Sequence, residues 1–142
     1  MIIRKRKWDY KGNKEIVDSL SEKEQYYVAP RGYKEVSSDM LFYYYTEYYK
    51  GIPIAFIDVY RKDEHTGFIL LAVRKEYQGN GLSKYLLYKA ITDCKRIRNL
   101  YKLIYVFDND NIKSGNLVKR IPGFKFIDKD DRETYYEYNL RE

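Results

Sequence analysis

Apolar positions recur along the chain with two different periods, and the switches between them mark out its elements. Ile16, Val17 and Leu20 stand at helical spacing behind Asn13, which reads as an N-cap, and the helical pattern continues or restarts over residues 22–27. A short strand is predicted before it, at residues 2–6. Residues 28–39 carry Pro30, Gly32 and two serines and read as loop. Residues 41–49 form an aromatic strand, Lys50 and Gly51 a tight turn, and residues 52–60 the return strand of a hairpin. A polar turn over 62–66 leads into residues 67–73, a continuous apolar run that predicts a strand covered on both faces.

Past residue 81 the period becomes helical. Leu82, Leu86, Ala90, Cys94 and Ile97 share one stripe, flanked by Leu87 and Ile91, with lysines and arginines opposite. Cys94 is therefore read as a core residue. Residues 103–107 predict a short buried strand, 108–111 a loop rich in capping residues, and 112–121 a weaker helix stopped by Gly123. Strands at 124–128 and 134–140 follow, joined by an acidic turn. The order is β, one or two α, β, β, β, α, β, α, β, β, and no repeat or linker interrupts it. Residues 1–142 read as a single domain.

Composition narrows the function. The 142 residues are 44% hydrophobic and 34% charged, which suits one globule burying roughly 70% of its unfolded surface and excludes two independent catalytic domains. Charge-free runs such as 51–57 and 67–73 are far shorter than the ~20 residues of a spanning helix, so no membrane role is expected. The charges at residues 4–7 have no apolar stretch behind them, so no secretory signal is read and a cytoplasmic protein is expected. One cysteine and one histidine, His65, leave no disulfide framework and no metal site to expect. The formal charge is +6. Its excess gathers where Lys84, Lys89, Lys95, Arg96, Arg98 and Lys102 are answered only by Asp93, which points to a polyanionic ligand or to a solvated helix face. Eighteen tyrosines are explained mostly by aromatic strands.

The segment with chemistry in it runs from an apolar strand through a loop bearing Gly79 and Gly81 into an amphipathic helix. A helix start leaves amide N–H groups without intrahelical partners and carries about half a positive charge, and small residues let a pyrophosphate approach the backbone. The loop is neither a Walker loop nor a Gly-x-Gly-x-x-Gly fingerprint. It resembles the acyl-CoA signature of the GNAT superfamily of N-acyltransferases, in which an apolar strand leads to Gln/Arg-x-x-Gly-x-Gly/Ala and a leucine-faced helix. Gln78, Gly81 and Ser83 occupy the signature positions, Ser83 standing where glycine or alanine is usual. The resemblance spans roughly residues 52–140.

That resemblance implies a mixed α/β fold: a twisted, mostly antiparallel sheet with one splayed parallel pair and flanking helices. It implies acetyl-CoA as acyl donor. The backbone of Leu71, Ala72 and Val73 would pair with the pantetheine arm. Amides of Gln78, Gly79, Asn80, Gly81, Leu82 and Ser83 would hold the pyrophosphate, Lys84 and the basic residues beyond it would lie near the adenosine phosphates, and Asn111 near the pantetheine. The implied reaction is direct transfer of the acetyl group to an amine of a small molecule or protein. An alkylammonium of pKa ~10.4 must first lose a proton, at about 4.6 kcal/mol at pH 7. The family's tyrosine general acid is missing, since its position falls on Val118 or Lys119, and no ionisable residue stands in 67–73 to act as base. Tyr105 and Asp108 are the candidate catalytic residues, with Tyr43 and Tyr45 as substitutes. The missing groups motivate an alternative, a GNAT-like binding or regulatory module. A third reading, nucleic-acid binding by the basic helix and tyrosines, would give a steep salt dependence. Monomer and homodimer are both compatible with the sequence.

Overall fold

The computed structural model describes residues 7–142; the strand predicted at 2–6 lies outside them. Tyr10–Asp18 (α1) and Glu22–Val28 (α2) open the described chain, each held at its start by a side chain. Asp9, not Asn13, caps α1, its carboxylate accepting the Gly12 N–H at 3.0 Å. Asn13 lies one turn further on and is completely buried, because its amide is taken up by an internal polar network. Ser21 and Glu24 form a reciprocal capping box on α2, which makes it a separate helix rather than an extension of α1.

Leu41–Tyr49 (β1) and Ile52–Arg61 (β2) form the expected hairpin, and Thr66–Val73 (β3) adds antiparallel to it. Leu82–Cys94 (α3) crosses over to Lys102–Asp108 (β4), which runs parallel to β3. The helix ends three residues before Ile97, but that side chain still packs on the core through the turn that follows. Ile112–Lys119 (α4), Phe124–Lys129 (β5) and Glu133–Asn139 (β6) complete the chain. Among the described residues the sheet has six strands in the order β1-β2-β3-β4-β6-β5, with one parallel pair.

Strand alternation gives the sheet two buried faces. Ala55, Ile57 and Val59 of β2, Ile69 and Val73 of β3, and Leu103, Tyr105 and Phe107 of β4 pack with Leu86, Leu87, Ala90 and Ile91 of α3 and Val118 of α4. Phe56 and Ala72 point the other way and pack with Ile16 and Val17 of α1 and with Tyr33. The apolar run in β3 is thus explained: it is covered from both sides. No helix among the described residues is long and apolar enough to cross a membrane.

Candidate functional site

The parallel pair is joined over only four residue pairs, from Thr66–Lys102 to Ile69–Tyr105. Beyond that point the two strands part, while each keeps its outer partner: Val73 still pairs with Ala55 of β2, and Asp108 with Glu133 of β6. The opening is therefore a built-in splay rather than a frayed end. Along it the inner backbone edge of Leu71, Ala72 and Val73 has no neighbouring strand among the described residues, which is the arrangement an extended ligand fills by pairing like a strand.

At the top of the splay the chain turns through Lys75–Tyr77 into the glycine loop. Gly79 and Gly81 adopt φ of +83° and +78°, and a Cβ on either would meet nothing within 4 Å. Gly81 is the residue before α3, and among the described residues no side chain caps that helix, whereas Asp9, Ser21 and Asn111 cap the other three α-helices. The first amides of α3, on Leu82, Ser83 and Lys84, thus have no capping side chain among the described residues at the positive end of a 13-residue helix. The loop is tied down from below. The Gln78 side chain donates to the Val73 carbonyl at 3.1 Å and to Glu24 at 3.0 Å, and Lys75 reaches the same carboxylate at 2.8 Å. Partial burial raises the Glu24 carboxyl, but hydrogen bonds from Lys75, Gln78 and Ser21 outweigh that and bring it down to about 2. In this structure Gln78 positions the loop through its side chain.

Tyr105 stands in the last paired position before the strands part, on the α3/α4 face. Its hydroxyl lies 3.3 Å from Ser114 Oγ, which also accepts from Asn111 Nδ2 at 3.0 Å. Two of the residues singled out in the sequence, Tyr105 and Asn111, are thereby linked through a third, Ser114. Burial pushes the Tyr105 phenol above its ordinary range, with Ser114 pulling weakly the other way, so it stays protonated at neutral pH. Asp108 alternates onto the opposite face. There it borders an open cavity of about 580 Å³ lined by the loop after α2, by Phe68 and Leu70 of β3, by Val106 and Asp108 of β4, by Arg132 and by Glu133 and Tyr135 of β6. Tyr105 and Asp108 thus serve different faces of one splay.

Behind the cavity lies a buried polar cluster that the sequence pattern does not announce. Asp58 is completely buried on β2, one strand from the splay and directly opposite Leu70. Its carboxylate accepts from Tyr33 Oη at 2.6 Å, Tyr60 Oη at 3.1 Å and Trp8 Nε1 at 3.1 Å, with Asn13 Nδ2 at 3.5 Å. Tyr33 and Tyr60 line the cavity. The available signal was a lone carboxylate within an otherwise apolar strand, Ile-Pro-Ile-Ala-Phe-Ile-Asp58-Val-Tyr. Burial pushes the Asp58 carboxyl up to about 6, against hydrogen bonds from Tyr33, Tyr60 and Trp8 that pull it down. A raised carboxyl contributes stability that is present below the unfolded value of 3.8 and lost as the pH climbs through about 6. Urea melts of the wild type are expected to lose about 2 kcal/mol between roughly pH 4.5 and pH 8, a slope that Asp58→Asn removes. Equal slopes in the two proteins would contradict this assignment.

The remaining candidates stand apart from the cavity. Tyr43 donates to Asp93 at 2.6 Å and Tyr45 to Glu47, both packed against the α3 side. Val118 is buried and Lys119 exposed, so neither supplies a phenol. Cys94 is buried, and burial, with Asp93 nearby, drives its thiol up to about 12, as befits a core residue. His65 stacks on Tyr101 in the β2–β3 turn. In the basic stretch, Lys89 is paired with Asp93, Lys102 with Glu137, and Lys95 lies over Tyr138, so only part of that charge faces an external partner.

A family model described as the acetyltransferase (GNAT) family matches residues 7–124. No curated protein matches the chain. Among solved structures, the GNAT domain of S. lividans PAT superposes with a TM-score of 0.72 at 15% identity, covering 92% of this chain and 85% of that one. PaiA N-acetyltransferase from Thermoplasma acidophilum, in complex with coenzyme A, gives 0.72 at 17% identity and 92% coverage of both chains. A GNAT family acetyltransferase from Elizabethkingia anophelis with acetyl-CoA bound gives 0.60 at 19% identity, covering 68% of this chain and 74% of that one.

Proposed function

Because this chain belongs to the GNAT family of acetyltransferases, we propose that it moves an acetyl group from acetyl-CoA directly to a primary amine that enters through the cavity bordered by Asp108. The observation that carries this reading is the splay itself: a donor slot opening onto an uncapped helix start at one end, and onto a separate acceptor cavity across the sheet.

The residues fit the donor by chemistry as well as place. The free edge of Leu71, Ala72 and Val73 suits the amides of a pantetheine arm. The N–H groups of the 78–84 loop suit a pyrophosphate, with glycines where a side chain would obstruct it, and Lys84 lies exposed beside them. Asn111 orients Ser114, and through it the Tyr105 hydroxyl, at the narrow end of the slot. On the other face Asp108 and Glu133 sit directly opposite each other across β4 and β6, a pair of carboxylates suited to draw a cationic amine into the cavity. After the amine has lost a proton, its nitrogen attacks the thioester carbonyl; the C–N bond forms, the C–S bond breaks, and Tyr105 protonates the departing thiolate. The phenolate regains its proton from the amine nitrogen, directly or through water. Tyr105 thus takes the part that the residue at Val118 or Lys119 lacks.

The test is release of free thiol from acetyl-CoA in the presence of a panel of polyamines, amino alcohols, amino acids and a lysine peptide, with the acetylated product identified by mass spectrometry. Turnover of at least one amine, saturable in both substrates, is the expected outcome. Binding of acetyl-CoA with no acetylation of any amine would favour the binding-module alternative.

A further inference from the structure

The buried polar cluster behind the acceptor cavity is joined to it through two phenols. Tyr33 is 5% exposed and Asp58 wholly buried, while Tyr60 is only half-buried, so Tyr60 is the member most open to a ligand. The strand register sets its position: Tyr60 pairs with Phe68 and Asp58 with Leu70, the residue at which β3 leaves β4. The cluster therefore flanks, across one strand, the point where donor and acceptor must meet.

From this geometry we infer that Tyr60 and Asp58 form the proton-accepting relay of the acceptor site, so that the substrate is an ammonium whose nitrogen docks against Tyr60 Oη. This rests on the acetyl-transfer reading and supplies the base it left unassigned. In the relay a proton passes from the ammonium nitrogen to Tyr60 Oη as the Tyr60 hydroxyl proton passes to Asp58 Oδ2. The products are a neutral amine and a neutral Asp58 carboxylic acid. The carboxyl returns its proton to solvent by the reverse path once the amide has left. Tyr60 touches the substrate, whereas Asp58 acts through it and is a positioning and proton-storing group.

The surroundings of Asp58 suit that part. Its own strand gives Tyr60, the loop after α2 gives Tyr33, α1 gives Asn13, the segment before α1 gives Trp8, β1 places Tyr44 opposite it, and β3 offers only Leu70 and Phe68. Among the described residues no lysine, arginine, histidine or second carboxylate hydrogen-bonds to it; the partners that hold it there are phenols, an indole and an amide. A carboxyl lifted toward 6 by burial is better matched to a proton taken near neutrality than one at 3.8.

Tyr60→Phe, which removes one hydroxyl from the cavity wall, tests the inference in the intact protein with whichever panel amine the wild type acetylates. The variant is expected to bind acetyl-CoA as the wild type does and to lose about 10²-fold in kcat. The wild-type pH profile of kcat/KM is expected to rise through about 6, the range of the Asp58 carboxyl, and to lose that limb in Tyr60→Phe. Asp58→Asn should behave alike if it folds, and Tyr60→Phe keeps the test open if it does not. Tyr60→Phe turnover within about threefold of wild type, with the acid limb intact, would overturn the relay while leaving acetyl transfer standing. Failure of the wild type to acetylate any panel amine would overturn acetyl transfer itself, and the relay with it.

Discussion

Replacing Gly81 by glutamate is expected to weaken acetyl-CoA binding at least ~100-fold, equivalent to about 2.7 kcal/mol, in a calorimetric titration. Two independent effects combine at this residue. Its φ of +78° is one that an L side chain adopts at about 1–2 kcal/mol of strain. A carboxylate there would also repel the phosphates proposed to lie at the uncapped amides of α3. Gly81→Ala separates the two, because a Cβ at this position has open space around it and brings only the backbone strain. Its expected loss is about tenfold or less, and both variants should remain folded since the residue is exposed. Equal affinities for wild type and Gly81→Glu would remove the phosphate site from this loop.

Replacing Tyr105 by phenylalanine is expected to lower kcat about 10²-fold with the KM for acetyl-CoA nearly unchanged. The ring belongs to the core between the sheet and the two later helices and would stay in place. What goes is the hydroxyl held 3.3 Å from Ser114, the group proposed to protonate the thiolate. The loss should appear in steady-state rates of thiol release and should be smaller for thioester donors whose thiols are more acidic, because their thiolates need protonation less. A Tyr105→Phe enzyme with unchanged kcat would assign that hydroxyl to packing alone.

The parts of this molecule that could be read from its sequence are those set by local pattern. The hairpin at 41–61, the apolar run of β3, the leucine face of α3 and the final two strands follow from period and turn chemistry, and each lies where its residues put it. The glycine loop was legible for the same reason: positive φ at Gly79 and Gly81 and the exposed start of α3 are local properties. Asn13 shows where this kind of reading stops. Asp9 and Asn13 are both residues that cap helices, and the choice between them is made by Tyr33, Thr46 and Asp58, which come from three other segments. The cavity beside Asp108 is likewise assembled from α2, the loop after it, β2, β3, β4, the β5–β6 turn and β6. Asp58 is distant in sequence from every partner but Tyr60, and nothing short of the sheet register brings it beside the splay. Tyr105 and Asp108 could be named but not assigned to separate faces until the strand pairing was known.

The central claim is that donor and acceptor meet at the splay, the donor along the inner edge of β3 and the α3 start, the acceptor from the cavity on the other face. Backbone amide chemical shifts, recorded first with acetyl-CoA and then with coenzyme A plus an accepted amine, address it most directly. Acetyl-CoA should move the amides of Leu71, Ala72, Val73 and residues 78–84, and the amine should add movements at Tyr33, Tyr60, Asp108 and Glu133. Shifts from acetyl-CoA that spare both the β3 edge and the glycine loop would contradict the claim.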